Sequence, residues 1–198
     1  MSGRTQAERS ETTRAKLVAA ARTLFARDGY SAVGTEEIVR AAGVTRGALY
    51  HHFDGKERLL EAVYEQIEAE LAQRIGARAG EVEADDPLGA LAIGVDVFLD
   101  AASEPEMHRI VLLDAPSVLG WERWREIGWR YGMGLAEAVL TAALEAGQIP
   151  RQPVRPLAHV LLGALDEAVI YVARAPDRDV ARAEMRPILR RLIEGLRG

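Results

Sequence analysis

The sequence predicts an all-α protein: a three-helix helix-turn-helix unit followed by a larger helical part, about nine helices in all. Three observations predict it. Apolar residues recur three and four apart along nearly the whole chain, and no segment keeps the alternation of a half-buried strand. Glycines and prolines then cut the chain into pieces of helix length. With 198 residues, 48% hydrophobic and 28% charged, the chain can bury one sizeable core or two small ones.

The first helix is expected from about Thr12 to Arg27, with Leu17, Ala20, Ala21, Leu24 and Phe25 on one face. Asp28-Gly29 ends it, because glycine tolerates the left-handed cap conformation. Thr35 is expected to cap a second, short helix whose first turn carries Glu36 and Glu37 and whose apolar side is Ile38, Val39 and Ala42. Gly43 stops it. Thr45 caps a third, with Leu49 and Phe53 four apart on its inner face. A longer helix starts near Lys56, where Asp54 and Glu57 have capping-box spacing, and Leu60, Val63, Tyr64, Ile67 and Leu71 continue its stripe. This helix is expected to bridge the two halves of the chain.

The acidic stretch "GEVEADDP", residues 80–87, reads as a loop closed by a proline suited to the first turn of the next helix. Further helices fit residues 87–102, 105–114, 120–147, 155–175 and 178–196, separated by Pro105, Pro116, the Gly147 to Pro156 stretch and Pro176. The expected division is a flexible polar arm over 1–11, a helix-turn-helix domain over 12–58 and a helical domain over 59–198. There is no internal repeat and no low-complexity tract.

Composition removes several function classes. No cysteine is present, so disulfides, thiolate catalysis and sulfur-ligated zinc are out of reach. The polar start MSGRTQAERSETTRAK lacks the apolar run of a secretory signal, and Asp166 and Glu167 interrupt the longest apolar stretch. A cytoplasmic protein without a membrane span is expected. The net charge of -5 hides an asymmetry. Residues 1–60 hold 10 Lys/Arg against 7 Asp/Glu, whereas residues 61–198 hold 15 against 23. Only the first part suits a polyanionic partner.

The stretch "GVTRGALYHHF", residues 43–53, carries the chemistry. Its paired histidines raise the question of a catalytic or metal site, but consecutive residues lie about 100° apart on a helix and only Asp54 is near enough to support them. No catalytic residue, metal or cofactor is assigned. With Leu49 turned inward, Gly47, Tyr50 and His51 point away from the core and Arg46 extends from the first turn. That face suits the major groove, which admits one helix and is read near the helix N-terminus. Arg46 is able to donate two hydrogen bonds to guanine, while Gly47 and Ala48 keep the helix slim. Tyr50, His51 and His52 offer donors to phosphates. Thr35 and Lys56 stand at helix starts, where backbone N–H groups already favour an anion, and Thr45, which caps the third helix, is a further candidate DNA contact.

Residues 12–60, with "F..DGY" closing the first helix, "T..EIV.AAGV" in the second and "G.LYHHF..KE.LL" after it, resemble the DNA-binding domain of the TetR family of bacterial transcriptional regulators. The resemblance implies a homodimer on a double-stranded, palindromic operator, a helical domain that binds a small effector, and repression relieved by it. It places Arg46, Gly47 and Ala48 against bases, and Thr35, Tyr50, His51, His52 and Lys56 mainly against backbone. Arg4 and Arg9 of the arm fall where family members carry a variable leader, a candidate minor-groove contact.

Beyond residue 60 the residues themselves carry the reading. "PLAHVLLGALDEAVIYVARA" is apolar on more than one side and the final helix has a broad apolar stripe, so the two form an expected dimerisation pair. Leu161, Leu165, Val169, Met185, Ile188, Leu189, Leu192 and Ile193 are its candidate residues. The segment "GWERWREIGWRYGMGLAEAV" mixes aromatics with helix-interior glycines, each costing roughly 1 kcal/mol against alanine. Close packing is one explanation and room for an apolar or aromatic effector is the other. Candidate lining residues are Phe98, Met107, His108, Val111, Trp124, Gly128, Tyr131, Met133 and Asp166. An activator, a regulator without an effector, and a helical protein-interaction module are the alternatives that the sequence leaves open.

Overall fold

The computed structural model describes residues 6–83 and 85–197. Among them lie nine α-helices, one π-helical segment and no strand. The helices are α1 (Gln6–Asp28), α2 (Thr35–Ala42), α3 (Arg46–His52), α4 (Gly55–Ala79), α5 (Pro87–Ala101), α6 (Ala115–Leu119), α7 (Trp121–Glu145), α8 (Val154–Arg174) and α9 (Arg178–Glu194). They form two compact units: one runs up to Ile67 and includes Arg109–Trp124; the other holds Glu68–His108 and the chain from Arg125 onward. The helix α4 runs through both.

In the first unit α1 packs on α2 and α3 through Leu17, Ala21, Leu24 and Phe25, which meet the buried Ile38, Val39 and Leu49 class of side chains that periodicity predicts. The helix begins at Gln6, well before the expected Thr12. Gln, Ala, Glu and Arg are good helix formers, so the helix propagates into a segment with no apolar stripe to announce it. Thr12 and Thr13 donate their hydroxyls back to the carbonyls of Glu8 and Arg9. Arg9 therefore sits on an exposed helical turn, while Arg4 lies outside the described residues.

The segment Met107–Asp114 departs from expectation: it is π-helical and runs directly into α6, with no break at Pro116. Pro116 falls in the first turn of α6, where its missing N–H needs no partner. In the i→i+5 pattern it would have been the donor to the carbonyl of Val111, which is left without one. The indole N–H of Trp124 donates to that carbonyl at 2.8 Å instead. Trp124, in turn, accepts the hydroxyl of the buried Tyr64 on its own carbonyl at 3.0 Å. Buried Glu61 binds Arg58 and Arg123, so this unit closes without an orphaned charge there.

In the second unit α9 packs against α5 and α8. Three faces follow from four-residue spacing. Ala181, Leu189 and Ile193 are buried. Arg182, Arg186 and Arg190 form a ladder of ion pairs with Asp96 and Asp100 on α5, including Arg186 to Asp96 at 2.8 Å. Val180, Ile188 and Leu192 are exposed. Asp86 caps α5 by accepting from the N–H of Gly89 at 3.0 Å, with Pro87 behind it as expected.

Among the described helices α8 is long and apolar enough to cross a membrane by length and composition, despite Asp166 and Glu167. Length and composition alone do not place α8 in a membrane, and part of it, including Ala168, Val169, Val172 and Ala173, is buried within the unit.

Candidate nucleic-acid interface

The turn between α2 and α3 is fixed by backbone chemistry. Gly43 sits at φ 64°, in the left-handed region, and its N–H donates to the carbonyl of Arg40 while that of Val44 donates to Val39 at 3.0 Å. Two residues later Thr45, in an extended conformation, accepts the N–H of Ala48 on its hydroxyl at 3.2 Å. The cap expected at Thr35 is displaced: Gly34 holds the N-cap position of α2 and offers no side chain, and Thr35 is the first helical residue, half-buried.

Seven residues make α3, and only Leu49 among them is buried. Arg46, Gly47, Tyr50 and His51 are exposed, Ala48 and His52 half-buried. A Cβ built on Gly47 would meet nothing nearer than the Thr45 hydroxyl at 3.9 Å. Packing within the chain therefore gives no reason for a glycine there, and clearance for an outside partner does. The Arg46 guanidinium lies 3.1 Å from Glu36 and 5.6 Å from the centre of the Tyr50 ring. Tyr50, and then Glu36, hold its proton more firmly than in a free arginine. His51 and His52 meet edge to face with centroids 5.1 Å apart. Burial, then His51 and Arg14, push the His52 imidazole below its ordinary pKa.

Lys56 is turned inward. Its ammonium donates to the carbonyls of Tyr30 at 2.8 Å and Val33 at 2.9 Å and lies 4.0 Å above the Tyr30 ring. Burial pulls its pKa down, opposed by the Asp114 carboxylate. Asp114, at the end of the π-helical segment, accepts the N–H of Tyr30 at 2.8 Å and pairs with Arg109 at 3.5 Å. Arg109 also donates to the carbonyl of Asp28. It passes so close to Gly29, at φ 83°, that a Cβ there would stand 1.8 Å from its guanidinium. Gly29 is thus required for its backbone angle, while the end of the Arg109 side chain is what a Cβ there would have to displace. This polar clamp on the α1–α2 turn, and the Glu36–Arg46 pair, were not found from sequence. Both join residues remote in sequence, and no spacing rule announces them.

The effector candidates are divided. Val111 and Trp124 are buried in the first unit and bonded to each other. Phe98, Met107, His108, Gly128, Tyr131, Met133 and Asp166 belong to the second, where His108 Nε2 lies 3.1 Å from the carbonyl of Ala173. Asp166 on α8 accepts the indole N–H of Trp129 at 2.9 Å and lies 3.7 Å from Arg125. Arg125 stacks on the Trp129 ring at 4.0 Å, and His159 meets that ring edge-on at 4.3 Å. Burial pushes the Asp166 carboxyl up to about 6 against the pull of Trp129 and Arg125. Of the residues expected at a dimer interface, Leu165, Val169, Leu189 and Ile193 are buried in their own chain and Leu161 and Met185 half-buried. Ile188 and Leu192 are about half exposed, joined by Val160 and Tyr171 on α8. Among the described residues no group of three or more His, Cys, Asp or Glu is placed to hold a metal.

Residues 17–63 match the family described as bacterial regulatory proteins of the tetR family, and residues 89–196 match the tetracyclin repressor-like C-terminal domain. The transposon Tn10 TetC protein of Escherichia coli is 30% identical over 162 residues, covering 80% of this chain and 79% of that one. Among solved structures, a TetR-family transcriptional regulator from Pectobacterium atrosepticum is 34% identical, superposes with a TM-score of 0.86 and covers 98% of each chain. RolR, solved in complex with resorcinol, shares the fold at a TM-score of 0.74 and 22% identity over 96% of this chain and 95% of that one.

Proposed function

We propose, from the premise that this chain belongs to the TetR family of DNA-binding transcriptional regulators, that it represses transcription as a homodimer whose two α3 helices read a palindromic operator. Its relatives are regulators rather than enzymes. The observation that carries the reading is the outer face of α3. Six of seven residues stay out of the core, and they present an arginine, a glycine with no packing duty, a tyrosine and histidines. Arg46, Gly47 and Ala48 face base edges; Thr35, Thr45, Tyr50, His51 and His52 face backbone. Lys56 acts chiefly by fixing the α1–α2 turn, since two of its three donors are taken by backbone carbonyls.

Two copies associate through the exposed apolar faces of α8 and α9, giving a four-helix interface around Val160, Tyr171, Ile188 and Leu192. A small apolar or aromatic effector binds in the second unit, beside the Trp129, Arg125 and Asp166 cluster; RolR, of the same fold, is solved with one such molecule. The chain passes between the units inside the π-helical segment, so a shift there acts on Asp114 and the Tyr30 turn. The protein works in the cytoplasm, where its operator is.

The test is a mobility shift on the DNA upstream of the protein's own gene. Arg46→Ala and Tyr50→Ala, both at exposed positions, are expected to lose binding by at least about tenfold each while remaining folded dimers. Unchanged binding by both variants would contradict the assignment of α3.

A further inference from the structure

The first turn of α2 carries two adjacent glutamates with different surroundings. Glu37 is half-buried and pairs with Arg27 of α1 at 3.2 Å, so it ties two helices together and sits favourably at the positive end of α2. Glu36 faces outward, and one of its oxygens lies 3.1 Å from Arg46 Nη1. Both side chains of that pair are more than three-fifths exposed, so it contributes little to folding. The positive end of α2 favours an acidic residue at this position, as it does at Glu37, but does not account for its pairing with the reading arginine, next to which it repels the phosphates on either side.

We propose that Glu36 is a specificity-determining residue that buttresses Arg46 for guanine. The inference rests on the reading of α3 as the helix in the groove. A guanidinium carries five donors in a rigid plane. Glu36 pairs with Nη1, and Tyr50 engages the group from another side, its ring centre 5.6 Å away, so the orientation of the remaining donors is set rather than free to rotate. Two parallel donors so fixed match the O6 and N7 acceptors of one guanine, with the carboxylate still in place. Contact with a phosphate at a wrong site requires Arg46 to swing off Glu36, which leaves a carboxylate unpaired beside the backbone. Glu36 therefore weakens binding to unrelated DNA more than to the operator.

The experiment compares wild type, Glu36→Gln, Arg46→Ala and the double variant on two duplexes of equal length: the one that wild type enriches from a randomised pool, and an unrelated one. Affinities are measured at several salt concentrations, with thermal unfolding as the check on folding. Glu36→Gln is expected to narrow the affinity ratio between the duplexes about tenfold, mainly by tighter binding of the unrelated one. Its salt dependence on that duplex steepens by about one phosphate contact. In the Arg46→Ala background the same substitution leaves the ratio unchanged. An equal gain on both duplexes, the mark of net charge alone, or no change on either, overturns the proposal. If Arg46→Ala itself keeps the wild-type ratio, the reading of α3 fails instead.

Discussion

Asp166 is the residue whose surroundings most clearly alter its chemistry. With its ordinary pKa near 3.9 and burial raising it to about 6, the folded chain holds a proton between about pH 4 and pH 6 that the unfolded chain has released. Stability therefore falls as pH rises through that window, and the full loss is present above about pH 6. Asn in its place keeps an acceptor for the Trp129 indole without the charge. Between pH 4.5 and 7.5, urea unfolding of Asp166→Asn is expected to gain on wild type by about 2 kcal/mol; parallel pH profiles would contradict the buried, raised carboxyl. The isolated Asp in an apolar helix was visible in the sequence. Its partners were not, since Arg125 and Trp129 lie on another helix and only the packing of α7 on α8 brings them to it. The same holds for Lys56, whose position at a helix start suggested an anion contact and whose side chain instead folds back on two carbonyls.

At the scale of elements, α2 and α3 were legible because their punctuation is local. Gly43 and Thr45 each act within four residues, and the structure gives both the roles that spacing implied. The start of α1 and the π-helical segment were not legible. The first has no buried face to leave a period, and the second depends on a carbonyl of Val111 that is satisfied by a tryptophan 13 residues away. The clamp at the end of that segment is likewise a tertiary fact. Asp114→Ala strips the Tyr30 N–H of its acceptor and Arg109 of its ion pair. The variant is expected to lose about 1–3 kcal/mol of stability, with faster hydrogen exchange at the Tyr30 amide. An unchanged exchange rate at Tyr30 would show that Asp114 does not hold the turn.

On the scale of the whole molecule, the division into a DNA-facing unit and a helical remainder follows from charge as well as from packing. Residues 1–60 are net positive on a chain of net charge -5, which brings the reading end to a polyanion and keeps the rest away from it. The apolar residues of α9 form one broad stripe in sequence, but the structure splits it, because α9 must satisfy α5 and α8 before any partner. What α8 and α9 leave exposed is the narrower set Val160, Tyr171, Val180, Ile188 and Leu192, the face proposed for a second copy. In the proposed assembly two such chains present two α3 helices to one two-fold DNA site. The direct test is a hydroxyl-radical footprint on the duplex enriched from a randomised pool, run with wild type and with the Ile188→Arg, Leu192→Arg double variant. Wild type is expected to protect two symmetric half-sites one helical turn or a multiple of it apart, and the variant, monomeric, to lose at least about a hundredfold in affinity. A single protected half-site with wild type, or no enriched sequence at all, would contradict the claim.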